Sequence, residues 1–270
     1  MTSALVPFPS PTTTPRQGVP NPSHEPPAIH AICLDIDDTL IDFTGSARMA
    51  LSILIGRDDM WPAWQRITDE HSAMVVSGEL DYDSMRRART KAFLADLGAL
   101  IDDETVAVLE DRRLAQMSQA WRLFPDAVPC LDWLRAAGFK IAAVTNASGP
   151  HQRTRLAGLG LSRFFDAVIS AGELGAAKPD PTIFHTACAE LGVTPHETAH
   201  VGDRLDLDAI GARDAGLHGI WLDRAADQHD HDDTPEVPVV ETLADLPELL
   251  VSEYRTPGMT SASGVPGPRR

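Results

Sequence analysis

The apolar run Ala31-Ile32-Cys33-Leu34 leads into Asp35-Ile36-Asp37-Asp38-Thr39-Leu40, so a core-strand pattern stops abruptly in three carboxylates and a threonine. Side chains at i and i+2 of a strand share a face, and Asp35 and Asp37 are expected to emerge side by side where the extended geometry persists. Two carboxylates that close repel each other unless a proton or a cation sits between them. The pattern points to paired nucleophile and acid/base chemistry, to a divalent metal site, or to both. A calcium loop of the EF-hand type starting at Asp35 fails, because its glycine position holds Leu40 and its bidentate glutamate position holds Ser46.

Later strand ends carry groups that could meet this pair. Thr145-Asn146 closes a second apolar run with a hydroxyl and an amide, donors suited to anionic oxygens, although such a pair alone is more often a helix cap than a site. Lys178 is the only cation in the loop from Gly175 to Pro181, whose two prolines stiffen it; a solvated lysine is the alternative. A further run ends in Gly202-Asp203, followed by Asp206 and Asp208. Asp203 with Asp35 and Asp37 would make the oxygen-rich, sparsely liganded site that Mg2+ prefers. Asp206 and Asp208 also suit the start of a helix.

The elements that must position these groups alternate. Strand patterns at 31–36, Ile141–Thr145, Ala167–Ser170, Thr198–Val201 and Gly219–Leu222 are separated by helical patterns near 127–137, 151–159, 180–191 and 205–215. Such alternation implies βαβ units and a parallel sheet covered on both faces, with the functional crevice beyond the strands' carboxyl ends. Ser148 with Pro150, and Asp180 with Pro181, mark helix starts. From Asp42 to Phe124 only helical patterns occur, such as Val106, Leu109, Leu114, Met117 and Trp121 on one face. The expected division is therefore a Rossmann-like core over 29–41 and 125–250, a helical cap over 42–124, and disordered Pro-, Ser- and Gly-rich tails over 1–28 and 254–270. Trp61, Trp64 and Trp121 read as cap core, while Phe43 and Arg48 are candidates to face a substrate.

A net charge of -16 and a pI near 4.9 argue against nucleic acid and anionic lipid as partners. No stretch approaches a membrane span and no secretory signal is evident, so a cytoplasmic protein is expected. Cys33, Cys130 and Cys188 sit in apolar contexts and read as buried free thiols. The stretch 223–236 sets His229 and His231 among six acidic residues and reads as a solvated loop. His151 and His185 read as helix-surface residues, and Asp38 as a turn cap.

Taken in order, Asp35-Ile36-Asp37-Asp38-Thr39, Thr145-Asn146, Lys178-Pro179 and Gly202-Asp203 with Asp208 resemble the four motifs of the haloacid dehalogenase (HAD) superfamily, over roughly residues 29–250. The helical insertion resembles the subgroup whose cap follows the first strand. The resemblance implies that Asp35 attacks phosphorus, that Asp37 acts as acid and base, and that Thr145, Asn146 and Lys178 hold the phosphoryl group. It also implies Mg2+ on Asp35, the Asp37 backbone carbonyl and Asp203, with Asp208 in support. Superfamily dehalogenases lack an aspartate two residues after the nucleophile, since a halide needs no proton, so Asp37 favours a phosphatase. Ala147 departs from the glycine found there in many relatives. The implied substrate is a small phosphorylated metabolite: a nucleoside monophosphate, flavin mononucleotide or sugar phosphate. Phosphomutase, then 2-haloacid dehalogenase, are the alternative activities, and a catalytically silent phosphate-binding module is the alternative of another class.

Overall fold

The computed structural model describes residues 26–76, 78–147, 149–225 and 237–258. Its strands are β1 (Ala31–Leu34), β2 (Lys140–Thr145), β3 (Ala167–Ser170), β4 (Thr198–Gly202), β5 (His218–Leu222) and β6 (Val239–Val240). The helices are α1 (Phe43–Ile55), α2 (Trp61–Val76), α3 (Tyr82–Asp96), α4 (Asp103–Ala120), α5 (Ala127–Ala136), α6 (Gly149–Gly158), α7 (Ala171–Leu174), α8 (Pro181–Leu191), α9 (Gly211–Asp214) and α10 (Leu246–Glu253).

All six strands pair in parallel, in the order β3-β2-β1-β4-β5-β6. Each strand of the central three is buried on both faces, which explains their near-continuous apolar runs. Alternation divides β1 between two cores. Ile32 and Leu34 pack with Leu131, Leu134 and Leu250, whereas Ala31 and Cys33 pack with Ile183, Phe184 and Ala187 of α8. The strand order reverses direction between β1 and β4, and ligand crevices of open α/β sheets form at such a switch point. Asp35 and Asp203 directly follow these two strands.

The helices α1 to α4 lie between β1 and α5 and carry their own apolar cluster of Leu51, Trp64, Ile67, Phe93 and Leu94. Trp64 meets Phe93 edge to face at 5.1 Å, an arrangement that adds about 1 kcal/mol to simple burial. Trp61 and Trp121 pack with Ala47, Ala50 and Met117, so the tryptophans do form part of this helical layer's core. Two adjacent chain passages join the layer to the sheet: Ile41 bridges Leu123, and Asp42 N–H donates to Arg122 O at 3.0 Å.

Residues at both ends that composition assigns to the tails pack on the fold. Ala28 bridges Arg255, Arg255 N–H donates to Pro27 O at 2.9 Å, and Tyr254 is buried, so 26–28 and 254–258 belong to the fold. The rest of both tails, Ser148, and His229 and His231 of the acidic stretch lie outside the described residues. Helix α10 and β6 went unrecognised, the latter because two residues carry no periodicity. The helical pattern at 205–215 forms as a π turn over Leu205–Ile210 that continues into α9. Cys33, Cys130 and Cys188 are free and buried. Burial pushes the Cys33 thiol well up and the Cys130 thiol to about 12, so both are held protonated. No described helix is long and apolar enough to cross a membrane.

Candidate active site

Asp35 leaves β1 with its N–H donating to Val201 O at 2.9 Å, which keeps one further residue in ladder register beside β4. The chain then turns tightly: Asp38 adopts φ 59, its N–H donates to Ile41 O, and its carboxylate accepts from Thr44 N–H at 2.8 Å and Thr44 Oγ1 at 2.7 Å. Asp38 thus ties the first turn of α1 to this loop, while Asp42 caps the helix and accepts from Gly45 N–H at 2.8 Å. Asp35 and Asp37 line one pocket with Lys178 and Asp203, their carboxylates taking different partners.

Asp35 is buried and faces Lys178. Lys178 Nζ donates to Asp35 Oδ1 at 2.5 Å, to Asp208 Oδ1 at 2.6 Å and to Val144 O at 3.1 Å. Burial works against this ammonium, yet Asp208 and Asp35 outweigh it and hold the lysine above its ordinary range. Asp208 is itself saturated, with His200 Nε2 at 2.8 Å from Oδ1 and Arg204 N–H at 3.1 Å from Oδ2. Lys178 and His200 hold it well below the usual carboxylate range despite burial. Gly202 permits this approach, since a Cβ there would fall 2.2 Å from Asp208 Cγ.

Asn146 departs from the expected role. Its Nδ2 donates to Lys178 O at 3.0 Å and its Oδ1 accepts from Lys178 N–H at 2.7 Å, so the side chain clamps the lysine's backbone instead of facing a phosphate. Thr145 Oγ1 accepts from Ala147 N–H at 3.1 Å and Gln152 Nε2 at 3.2 Å, which leaves its own proton for a substrate oxygen.

Oxygens of Asp35, Asp203 and Asp208 lie within 4.8 Å of one another. Asp203 is anchored through its backbone: its N–H donates to Thr39 Oγ1 at 3.2 Å and its carbonyl accepts from Trp221 Nε1 at 3.0 Å. Burial, resisted by Lys178 and aided by Asp208 and Asp37, pushes Asp35 up to about 7. Burial and the Asp35 charge push Asp203 up to about 8. A hard dication between Asp35 and Asp203 would offset that repulsion, and carboxylate oxygens are the donors Mg2+ takes, so the residues fit the ion. Asp208, with both oxygens already hydrogen-bonded, suits support rather than ligation.

Asp37 turns towards α6. Gln152 Nε2 donates to its Oδ2 at 2.9 Å, Arg155 pairs with its Oδ1, and Arg155 also donates to Gln152 Oε1. The Arg155 guanidinium lies 5.5 Å from the Phe43 ring and 5.3 Å from the Trp121 ring. Gln152 and Arg155 were missed in the sequence; their signal is a polar pair at i, i+3 in the helix that directly follows the Thr145 strand end. His200 was missed too, hidden in an apolar strand.

Beside this centre a cavity of about 530 Å³ extends between Asp37, Asp38 and α6 on one side and α1, α2, α3 and α4 on the other. Phe43 lines it, as do Trp61, Trp64 and Trp121. Arg48 does not: it is exposed, its guanidinium 5.8 Å from the Trp61 ring. His151 is exposed at the cavity, and exposed His185 bonds Ala215 O at 2.8 Å.

An all-parallel sheet with carboxylates, a lysine and a hydroxyl at its switch point, below a layer of inserted helices, defines a doubly wound, Rossmann-like α/β protein. The chain belongs to the haloacid dehalogenase-like hydrolase family, whose model matches residues 29–216. It is 30% identical over 247 residues to the glyceraldehyde 3-phosphate phosphatase of Methanopyrus kandleri, covering 84% of this chain and 97% of that one. It is 38% identical over 131 residues to the phosphoserine phosphatase of Thermus thermophilus, a match that spans 48% of this chain and only 51% of the relative. Among solved structures, the magnesium-bound HAD-hydrolase YfnB of Bacillus subtilis has the same fold, with a TM-score of 0.70, 24% identity, and coverage of 83% of this chain and 99% of that one.

Proposed function

We propose that this phosphatase-type member of the family hydrolyses small-molecule phosphomonoesters with Mg2+, through a phosphoryl group carried on Asp35. The observation that carries the reading is the Lys178 ammonium set between Asp35 and Asp208 at the sheet's switch point. Phosphoryl transfer needs in-line positioning and neutralised oxygens more than elaborate covalent machinery.

An Asp35 carboxylate oxygen attacks phosphorus as the ester P–O bond breaks, and Asp37 gives its proton to the leaving alcohol. Water then attacks phosphorus, losing a proton to Asp37, as the P–O bond to Asp35 breaks, so that inorganic phosphate leaves and the Asp35 carboxylate is restored. Gln152 and Arg155 orient Asp37 for both transfers. Thr145 donates its hydroxyl proton to a phosphoryl oxygen, and Lys178 offsets charge there and on Asp35. Mg2+ held by Asp35, Asp203 and the Asp37 carbonyl would neutralise phosphoryl oxygens. The helices of 42–124 act as a cap that shapes the leaving-group space.

The test is phosphate release from a panel of phosphoesters with Mg2+, alongside Asp35→Asn. Release abolished in a folded Asp35→Asn protein is expected; full activity in that variant would remove Asp35 as nucleophile. An isomer in place of free phosphate would mark a mutase, and halide release from 2-haloacids a dehalogenase.

A further inference from the structure

The helical cap carries a charge imbalance that the chemistry at Asp35 does not use. Arg89 of α3 and Arg113 of α4 share one carboxylate: Glu110 Oε1 accepts from Arg89 at 3.1 Å and from Arg113 at 2.8 Å, and Oε2 accepts from Arg113 Nε at 2.8 Å. Thr90 Oγ1 completes the cluster at 2.7 Å from Oε2. Arg89, Glu110 and Arg113 are only 7%, 2% and 3% exposed. Two guanidiniums on one carboxylate leave a positive charge uncompensated where solvation is poor, an arrangement that is costly unless something else pairs with it. Burial and the Arg113 charge lower Arg89 to about 10. Both guanidiniums lie against Trp64, at 4.3 and 5.0 Å from the ring centroid.

A second, independent observation concerns hydrogen bonding. Arg89 Nε, Arg86 Nε, Trp121 Nε1 and Thr68 Oγ1 are buried without a hydrogen-bond partner, and all four residues line the cavity that reaches Asp37. Buried polar atoms are nearly always satisfied. Arg and Trp side chains donate only, so what completes this wall must bring acceptor oxygens. Asp69, which also lines the cavity, is exposed, and Asp83 pairs with Arg86 from an exposed position. The volume suits a small molecule.

We propose that the cavity receives a second anionic group, carboxylate or phosphate, of the molecule whose phosphoryl group reaches Asp35. The substrates favoured are then phosphomonoesters with an anion remote from the ester. This rests on the phosphomonoesterase reading of the active site. An uncharged far end leaves the donors unpaired and the Arg89–Arg113 charge uncompensated, and sites built to hydrogen-bond a group discriminate strongly against analogues lacking it.

The experiment compares matched esters with Mg2+: 3-phosphoglycerate with glycerol 3-phosphate, 6-phosphogluconate with sorbitol 6-phosphate, and fructose 1,6-bisphosphate with fructose 6-phosphate. In at least one pair the anionic member should show at least about tenfold higher kcat/KM, and the ratio should fall towards one in Arg89→Met. The first two pairs report a carboxylate site and the third a phosphate site. Equal or higher kcat/KM for the uncharged members throughout overturns the proposal. Absence of turnover on every ester would count against the active-site reading instead, and the cavity is then judged by melting temperature. There, 3-phosphonopropionate should raise Tm more than propylphosphonate, with the difference lost in Arg89→Met; no difference overturns the proposal. Should Arg89→Met not fold, Arg86→Met takes its place in both arms.

Discussion

Lys178 and Asp208 form a buried ion pair, Nζ 2.6 Å from Oδ1, in which the aspartate steadies the lysine that also meets Asp35. Asp208→Asn removes one of the two charges that hold this ammonium, while Asp35 still compensates it. The fold should survive. We expect kcat to fall by about 10²-fold, the usual scale for disturbing one preorganised electrostatic group, in steady-state assays on any turned-over ester. Wild-type kcat in this variant would mean that Lys178 needs no second anchor.

Asp37 differs from Asp35 in its surroundings: half-buried, and held by Gln152 at 2.9 Å and by Arg155. If Asp37 is the proton donor and acceptor proposed above, its replacement by Asn should lower kcat by about 10²- to 10⁴-fold on alkyl esters. The loss should be smaller for aryl phosphates such as p-nitrophenyl phosphate, whose leaving group needs less protonation. An equal loss on both classes would give Asp37 a structural task only.

Much of this site was legible because carboxylates and a lone lysine at the ends of apolar runs conflict with burial, and such conflicts show in the sequence. Asp35, Lys178 and Asp203 carry that signature, and the β-rich runs around them fixed the parallel sheet. The strand pattern could not reveal that Gln152 and Arg155 of α6 hold the Asp37 carboxylate, since period-2 reasoning gives the face a side chain shares and not the partners it meets there. Asn146 was misread for a related reason: an amide suits a phosphate and a peptide group equally, and only the folded loop puts Lys178 N–H and C=O within its reach. Arg48 failed because a helical pattern in α1 does not say which face meets the cavity: Phe43, Thr44 and Ala47 line it, and Arg48 points elsewhere. Arg89, Glu110 and Arg113 are pairwise invisible, joined across two helices only by packing.

Removal of the divalent cation should make stability fall as pH rises. Asp35 and Asp203 have folded-state values raised to about 7 and about 8, above those of free carboxylates. Between the unfolded and folded values the folded state binds more protons, so unfolding free energy drops with pH. His200, lowered by burial, opposes this only below its ordinary value of 6.5, and Asp208 and Glu110, both lowered, act below the ordinary carboxylate values. The clean window is therefore pH 6.5 to 8. Thermal melts in EDTA should show Tm declining across it, and added Mg2+ should stabilise more at pH 8 than at pH 6.5. A Mg2+ effect independent of pH would argue that these carboxylates are ionised without the cation.

The carboxylate shared between α3 and α4 predicts different outcomes for two neighbouring substitutions. Glu110→Gln leaves Arg89 and Arg113 facing each other with no counter-charge, and breaking a buried pair in this way costs about 3–5 kcal/mol. For a chain of this size that is a Tm loss of roughly 10 °C. Arg89→Met instead leaves Glu110 with Arg113 and Thr90, a neutral and fully hydrogen-bonded set, and the methionine retains packing against Trp64. Its Tm should stay within about 2 °C of wild type or rise. Differential scanning calorimetry of both variants without ligand decides the matter. If Arg89→Met destabilised as much as Glu110→Gln, the cluster would need both arginines for its own stability, and Arg89 would hold no surplus charge to offer a ligand.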